Sequence, residues 1–171
     1  MSDPTQEIGA LLAGRCCLVG VGNIDHGDDG IGVRLAESLC SAVAAAGRRI
    51  DIIVAGGAPE RHLGRLSEGG YDTVLFIDAV DFGGEAGSAV LLDASEIAAR
   101  FPQVSTHKIG IGALARFVGA SGRTRVYLLG IQPCSLRPEA GLTEPVRQAF
   151  DALSGMFLKM ISSDQPERVP V

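Results

Sequence analysis

CCLVGVGNIDHGDDGIGVRLAESL, residues 16–39, reads as a buried strand, a glycine-rich acidic loop and a long helix in immediate succession. The strand is the apolar run Cys16 to Val21, closed by Gly20, Gly22 and Asn23. The helix begins near Gly30, and Ile31, Leu35, Leu39 and Val43 recur every fourth residue to give one apolar face. Between them lies Asp25-His26-Gly27-Asp28-Asp29. In an open α/β sheet ligands bind outside the carboxyl ends of the strands, and this loop leaves such an end.

The first two glycines of a dinucleotide-binding turn are present at Gly20 and Gly22, but the third would fall on Asp25. Asp28 and Asp29 then stand at the helix start, where a pyrophosphate would need bare N–H groups and not like charge. Carboxylates gathered at a strand end suit a cation or acid–base chemistry better.

Outward from this unit, a loose or helical lead-in of 1–14 precedes the core. Gly47-Arg48-Arg49 stops the first long helix. Ile50 to Ala55 is a second strand, and Gly56 to Glu60 turns into a short helix near 59–68. Thr73 to Ile77 is apolar throughout, as expected of a central strand covered on both faces, and ends at Asp78. Gly83, Gly84 and Gly87 leave no room for a helical crossover, so the fourth strand, Ser88 to Leu92, is expected antiparallel to the third. A brief helix over 94–100 follows. A helix opened by Thr106-His107-Lys108 comes next, with Ile109, Ile111, Leu114 and Phe117 as its apolar set. Arg125 to Ile131 is the fifth strand. Thr143 is placed to cap a last helix carrying Val146, Phe150, Leu153, Phe157 and Met160 on one face, with a frayed tail from 162 to 171. The order βαβαββααβα predicts one α/β domain over 1–171: a three-layer α/β/α sandwich around a five-stranded sheet.

The totals agree with this class. The 171 residues are 46% hydrophobic with 23 glycines, which fits a turn-rich α/β core. A net charge of −5 gives no electrostatic reason to expect nucleic acid or an anionic membrane. The four cysteines form no C-x-x-C pair, which points to reduced thiols in a cytoplasmic protein and away from zinc ribbons. No basic leader and no membrane-length apolar run is present.

Asp28 and Asp29 follow the first strand, Asp78 follows the third, and His107 opens a helix. If the first and third strands are parallel neighbours, Asp29 and Asp78 emerge on one edge. Two carboxylates and an imidazole offer an O,O,N set to nickel, zinc or manganese, completed by water. Each residue also has an ordinary use: an aspartate at a helix start caps it, and a histidine at a helix start is commonly a surface group. No G-x-S-x-G elbow or H-E-x-x-H helix competes.

Six segments resemble the hydrogenase maturation endopeptidases, in that family's order. They are Gly20-Val21-Gly22-Asn23, Gly27-Asp28-Asp29-Gly30 with Gly32, Ala58-Pro59-Glu60, Phe76-Ile77-Asp78-Ala79, Ser105-Thr106-His107-Lys108 and Gly130-Ile131-Gln132-Pro133. They look nearest the branch serving formate-hydrogenlyase-type hydrogenases. The resemblance implies a twisted, mixed and mostly parallel five-stranded sheet between helices. It implies an endopeptidase that removes the C-terminal extension of a nickel–iron hydrogenase large-subunit precursor after nickel insertion. The family's metal-contacting residues map onto Asp29, Asp78 and His107. Classification with aspartic-type peptidases implies that Asp29 and Asp78 also activate water, with nickel carried by the substrate precursor and not kept by the enzyme. The family has Glu or Asp at the position of Asp29, and many members have an acid where this chain has Cys134. Two other readings share the acidic loop: a metal-dependent peptidase or amidohydrolase of other specificity, and a non-catalytic chaperone that binds nickel or the large subunit.

Overall fold

The computed structural model describes residues 4–101, 110–138 and 141–163. Five strands, β1 (Cys16–Val21), β2 (Ile50–Gly56), β3 (Thr73–Ala79), β4 (Ala89–Asp93) and β5 (Arg125–Ile131), form one sheet in the order β2-β1-β3-β5-β4. All pairings are parallel except β4 with β5. β4 thus runs opposite to β3, as its short connection required, but it pairs with β5 and not with β3.

Alternation along the strands sorts the core into two layers, because successive side chains of a strand point to opposite faces. Cys17, Val19, Val74, Phe76, Val126 and Leu128 pack against α3 (Leu63–Glu68), α4 (Ala94–Arg100) and α5 (Ile111–Gly119). Cys16, Leu18, Leu75, Ile77, Leu129 and Ile131 pack against α1 (Pro4–Leu11), α2 (Ile31–Ala46) and α6 (Glu144–Ser163). The result is the expected three-layer α/β/α sandwich. Helix α2 seats Ile31, Leu35 and Leu39 on the sheet and ends at Gly47, whose left-handed φ of 64° closes the last turn.

The lead-in takes the helical of its two readings, and one local reading, the inward face of α5, differs. The lead-in contains α1, whose Ile8, with Leu11 and Leu12, is buried. Arg48 fastens it, donating to the carbonyl oxygens of Leu12 at 2.9 Å and Met160 at 2.8 Å. In α5 the buried set is Ile111, Leu114, Ala115 and Val118, and Phe117 is 57% exposed. The described helix begins at Ile111, and the i, i+3, i+4, i+7 stripe from that start leaves Phe117 on the outer side. The segment carrying Ile109, and the tail from 164, lie outside the described residues.

Candidate active site

The sheet brings Asp29 and Asp78 to one edge. β1 and β3 are adjacent and parallel, with Gly20 opposite Ile77, so the chain leaves β1 beside the end of β3 that carries Asp78. Asp78 lies inside β3 and not beyond it, because Gly130 and Ile131 of β5 extend the ladder to Asp78 and Ala79. Its side chain belongs to a residue only 5% exposed.

Asp29 reaches this edge through a 3₁₀ turn, Gly27–Gly30, that packs on β3 and leads into α2. Two glycines make the close fit possible. Gly22, at a φ of 124°, lies so near that an added β-carbon would come within 1.8 Å of the Asp29 carbonyl oxygen. A β-carbon on Gly32 would stand 2.0 Å from the Ile77 carbonyl oxygen and 2.5 Å from that of Val21. The first turn of α2 therefore rests directly on the ends of both strands. Asp29 is 7% exposed, and its Oδ2 accepts the Asn23 backbone N–H at 2.8 Å.

Neither aspartate caps α2 with its side chain. Asp28, fully buried, clasps a distant loop. One oxygen accepts the backbone N–H groups of Cys134 at 2.8 Å and Ser135 at 2.9 Å, and the other that of Thr143 at 2.7 Å. The Thr143 hydroxyl lies 3.0 and 2.8 Å from the two oxygens and is committed to them. Thr143, the residue expected to cap α6, immediately precedes that helix, accepts the Arg147 N–H on its carbonyl at 2.8 Å, and is tied to Asp28 as well. In return the Asp28 N–H donates to the Ser135 carbonyl at 3.0 Å. Cys134 is exposed, while Cys16 and Cys17 are buried in β1, where burial pushes each thiol up to about 12.

Gln132, 7% exposed, fastens the other side of the edge. Its Oε1 accepts from the Phe82 and Gly84 backbones at 2.9 and 3.1 Å, and its Nε2 donates to Asp81 Oδ1 at 3.0 Å. That bond, with one from the Gly83 N–H, holds the Asp81 carboxyl below the usual carboxylate range. The sequence marked Gln132 only as part of a motif. Its signal was a long amide at a strand end followed by a proline that cannot extend the ladder.

His107, the third expected member of the set, lies outside the described residues. Among the described residues no three His, Cys, Asp or Glu side chains gather closely enough to hold a metal ion. Among the described residues no helix is long and apolar enough to cross a membrane.

Comparison with known proteins converges on one family. A family model described as hydrogenase maturation protease (HycI) matches residues 33–160. The hydrogenase 3 maturation protease of Escherichia coli strain K12 is 33% identical over 140 residues, covering 80% of this chain and 84% of that protein. The crystal structure of the nickel–iron hydrogenase maturation protease HycI from Thermococcus kodakarensis KOD1 is 25% identical with a TM-score of 0.76, over 91% of this chain and 98% of that one. The hydrogenase maturating endopeptidase HybD from Escherichia coli is 26% identical with a TM-score of 0.70, over 87% and 93%.

Proposed function

The chain belongs to the hydrogenase maturation protease family, and on that footing we propose that it removes the C-terminal extension of a nickel–iron hydrogenase large-subunit precursor after nickel insertion. The observation that carries the reading is the pair of buried carboxylates, Asp29 and Asp78, at the carboxyl ends of two adjacent parallel strands. Nickel belongs to the substrate in this reading. It arrives in the precursor, and Asp29, Asp78 and His107 receive it, which seats the scissile bond beside them. Oxygen and imidazole donors suit a divalent ion of this kind.

The chemistry asks for an activated water and for a proton on the leaving amine. A carboxylate of the pair takes a proton from water as the water oxygen attacks the scissile carbonyl carbon. The same proton passes to the leaving nitrogen as the C–N bond breaks, leaving a new carboxylate and a free amine. The cytoplasm, where the precursor is assembled in this reading, is the proposed place of action.

The deciding experiment is the intact mass of a cognate large-subunit precursor, nickel-loaded or nickel-free, after incubation with the enzyme. Loss of a short C-terminal peptide from the loaded form alone is the expected result. Equal cutting of both forms would indicate a peptidase of other specificity. A stable complex with no change in mass would indicate a chaperone.

A further inference from the structure

The β3–β5 ladder ends at Asp78 opposite Gly130 and Ala79 opposite Ile131. Pro133 has no N–H and cannot continue it. The chain beyond Asp78 must nevertheless turn, cross to the far side of β5 and return as β4. The main chain begins this turn, with Val80 N–H donating to the Ile131 carbonyl at 2.9 Å, and ends it, with Gly87 N–H donating to the Gln132 carbonyl and Gln132 N–H to the Ser88 carbonyl, each at 2.9 Å. Between these ties, residues 81–84 are held by the Gln132 side chain, through Phe82, Gly84 and Asp81.

We propose that Gln132 is a positioning residue for peptide cleavage: its amide fixes the chain just past Asp78 and so sets where that carboxylate meets the scissile bond. The proposal rests on the role given to Asp78 above. An amide is the group this position requires, since it must accept two N–H groups on one atom and donate to a carboxylate from the other. Glutamate at 132 would keep the acceptor and set a like charge against Asp81. The backbone ties at 80, 87 and 88 use no side-chain atom, so variants that keep the residue 132 N–H isolate the amide. A misplacement of about 1 Å in a reacting constellation can cost on the order of 10²-fold in rate.

The test is steady-state processing of the nickel-loaded precursor by the wild type, Gln132→Leu, Gln132→Glu, the double variant Gln132→Glu with Asp81→Asn, and Asp78→Asn, each checked for folding by circular dichroism and thermal unfolding. For folded Gln132→Leu the expected kcat loss is of the order of 10²-fold with KM little changed. Gln132→Glu is expected to lose activity, and the double variant to regain most of it, because an asparagine amide at 81 can donate to a glutamate at 132. Wild-type kcat in folded Gln132→Leu, a loss confined to KM, or a double variant no better than Gln132→Glu would overturn the proposal. If Gln132→Leu fails to fold, the Gln132→Glu pair decides. Asp78→Asn cutting at the wild-type rate would overturn the role of Asp78 and this proposal with it. Asp78→Asn inactive beside fully active Gln132→Leu would overturn this proposal alone.

Discussion

The Asp28 carboxylate accepts the Thr143 backbone N–H at 2.7 Å and lies within 3.0 Å of the Thr143 hydroxyl, across 115 positions of sequence. With the Cys134 and Ser135 N–H groups on its other oxygen, this one buried side chain ties residues 134 and 135 to Thr143, the residue before α6. Asp28→Ala leaves those donors without their acceptor. The expected cost is about 3 kcal/mol or more, since hydrogen bonds to a charged group contribute ~1.5–3 kcal/mol each and are not additive. Thr143→Val keeps the N–H bond and is expected to cost about half as much. Urea unfolding measures both, and hydrogen exchange of the Cys134 and Ser135 amides should quicken in Asp28→Ala alone.

Asp29→Asn and Asp78→Asn are each expected to abolish processing while the fold persists. An amide matches a carboxylate in shape but is a far poorer base toward water. His107→Ala is expected to weaken capture of the nickel-loaded precursor sharply while sparing that of the nickel-free form. The checks are intact mass for cleavage and a pull-down of both precursor forms for capture.

Gly32→Ala is expected to destabilise by at least about 2 kcal/mol, as overpacking against groups that cannot move aside does. The atoms in the way are the backbone carbonyls of Ile77 and Val21, not flexible side chains. If relaxation lifts α2 from the strand ends, processing falls too. Thermal unfolding and the processing rate, measured side by side, would show whether the two losses travel together.

Alkaline pH should weaken the fold before it titrates the buried thiols. Cys16 and Cys17 are raised from 9.0 to about 12, chiefly by burial. Above pH 9 the unfolded chain releases these protons while the folded chain retains them, so each group draws the equilibrium toward unfolding up to about pH 12. The slope approaches ~1.4 kcal/mol per pH unit for each thiol. Urea midpoints between pH 8 and 10.5 should fall, and less steeply in Cys17→Ala. In the same folded protein a thiol reagent at pH 8 should label Cys40 and Cys134 and spare Cys16 and Cys17.

The apolar strand runs, the Gly47 stop and the acidic turn after β1 were legible because each rests on local chemistry. From the sequence, Asp29 and Asp78 shared an edge on the condition that the first and third strands are parallel neighbours, and the sheet meets that condition. The use of Asp28 was not legible. An aspartate at a helix start looks like a cap, and nothing local marks that its partners lie past residue 130. Phe117 misled for a related reason: its period fits a helix, but only the helix start fixes which face is inward. The place of β4 beside β5 likewise depends on a strand that comes later in the chain.

Arg48 joins three helices that are far apart in sequence: it follows the Gly47 stop of α2 and grips the ends of α1 and α6 through Leu12 and Met160. That joint sits by the entry to β1, at the opposite end of the sheet from Asp29 and Asp78. Trimming α6 back past Met160 would therefore loosen the first helix of the chain as well as the last, while the edge carrying Asp29 and Asp78 kept its own fastenings. For anyone attaching the enzyme to a surface or a fluorophore, this is the end by which to hold it.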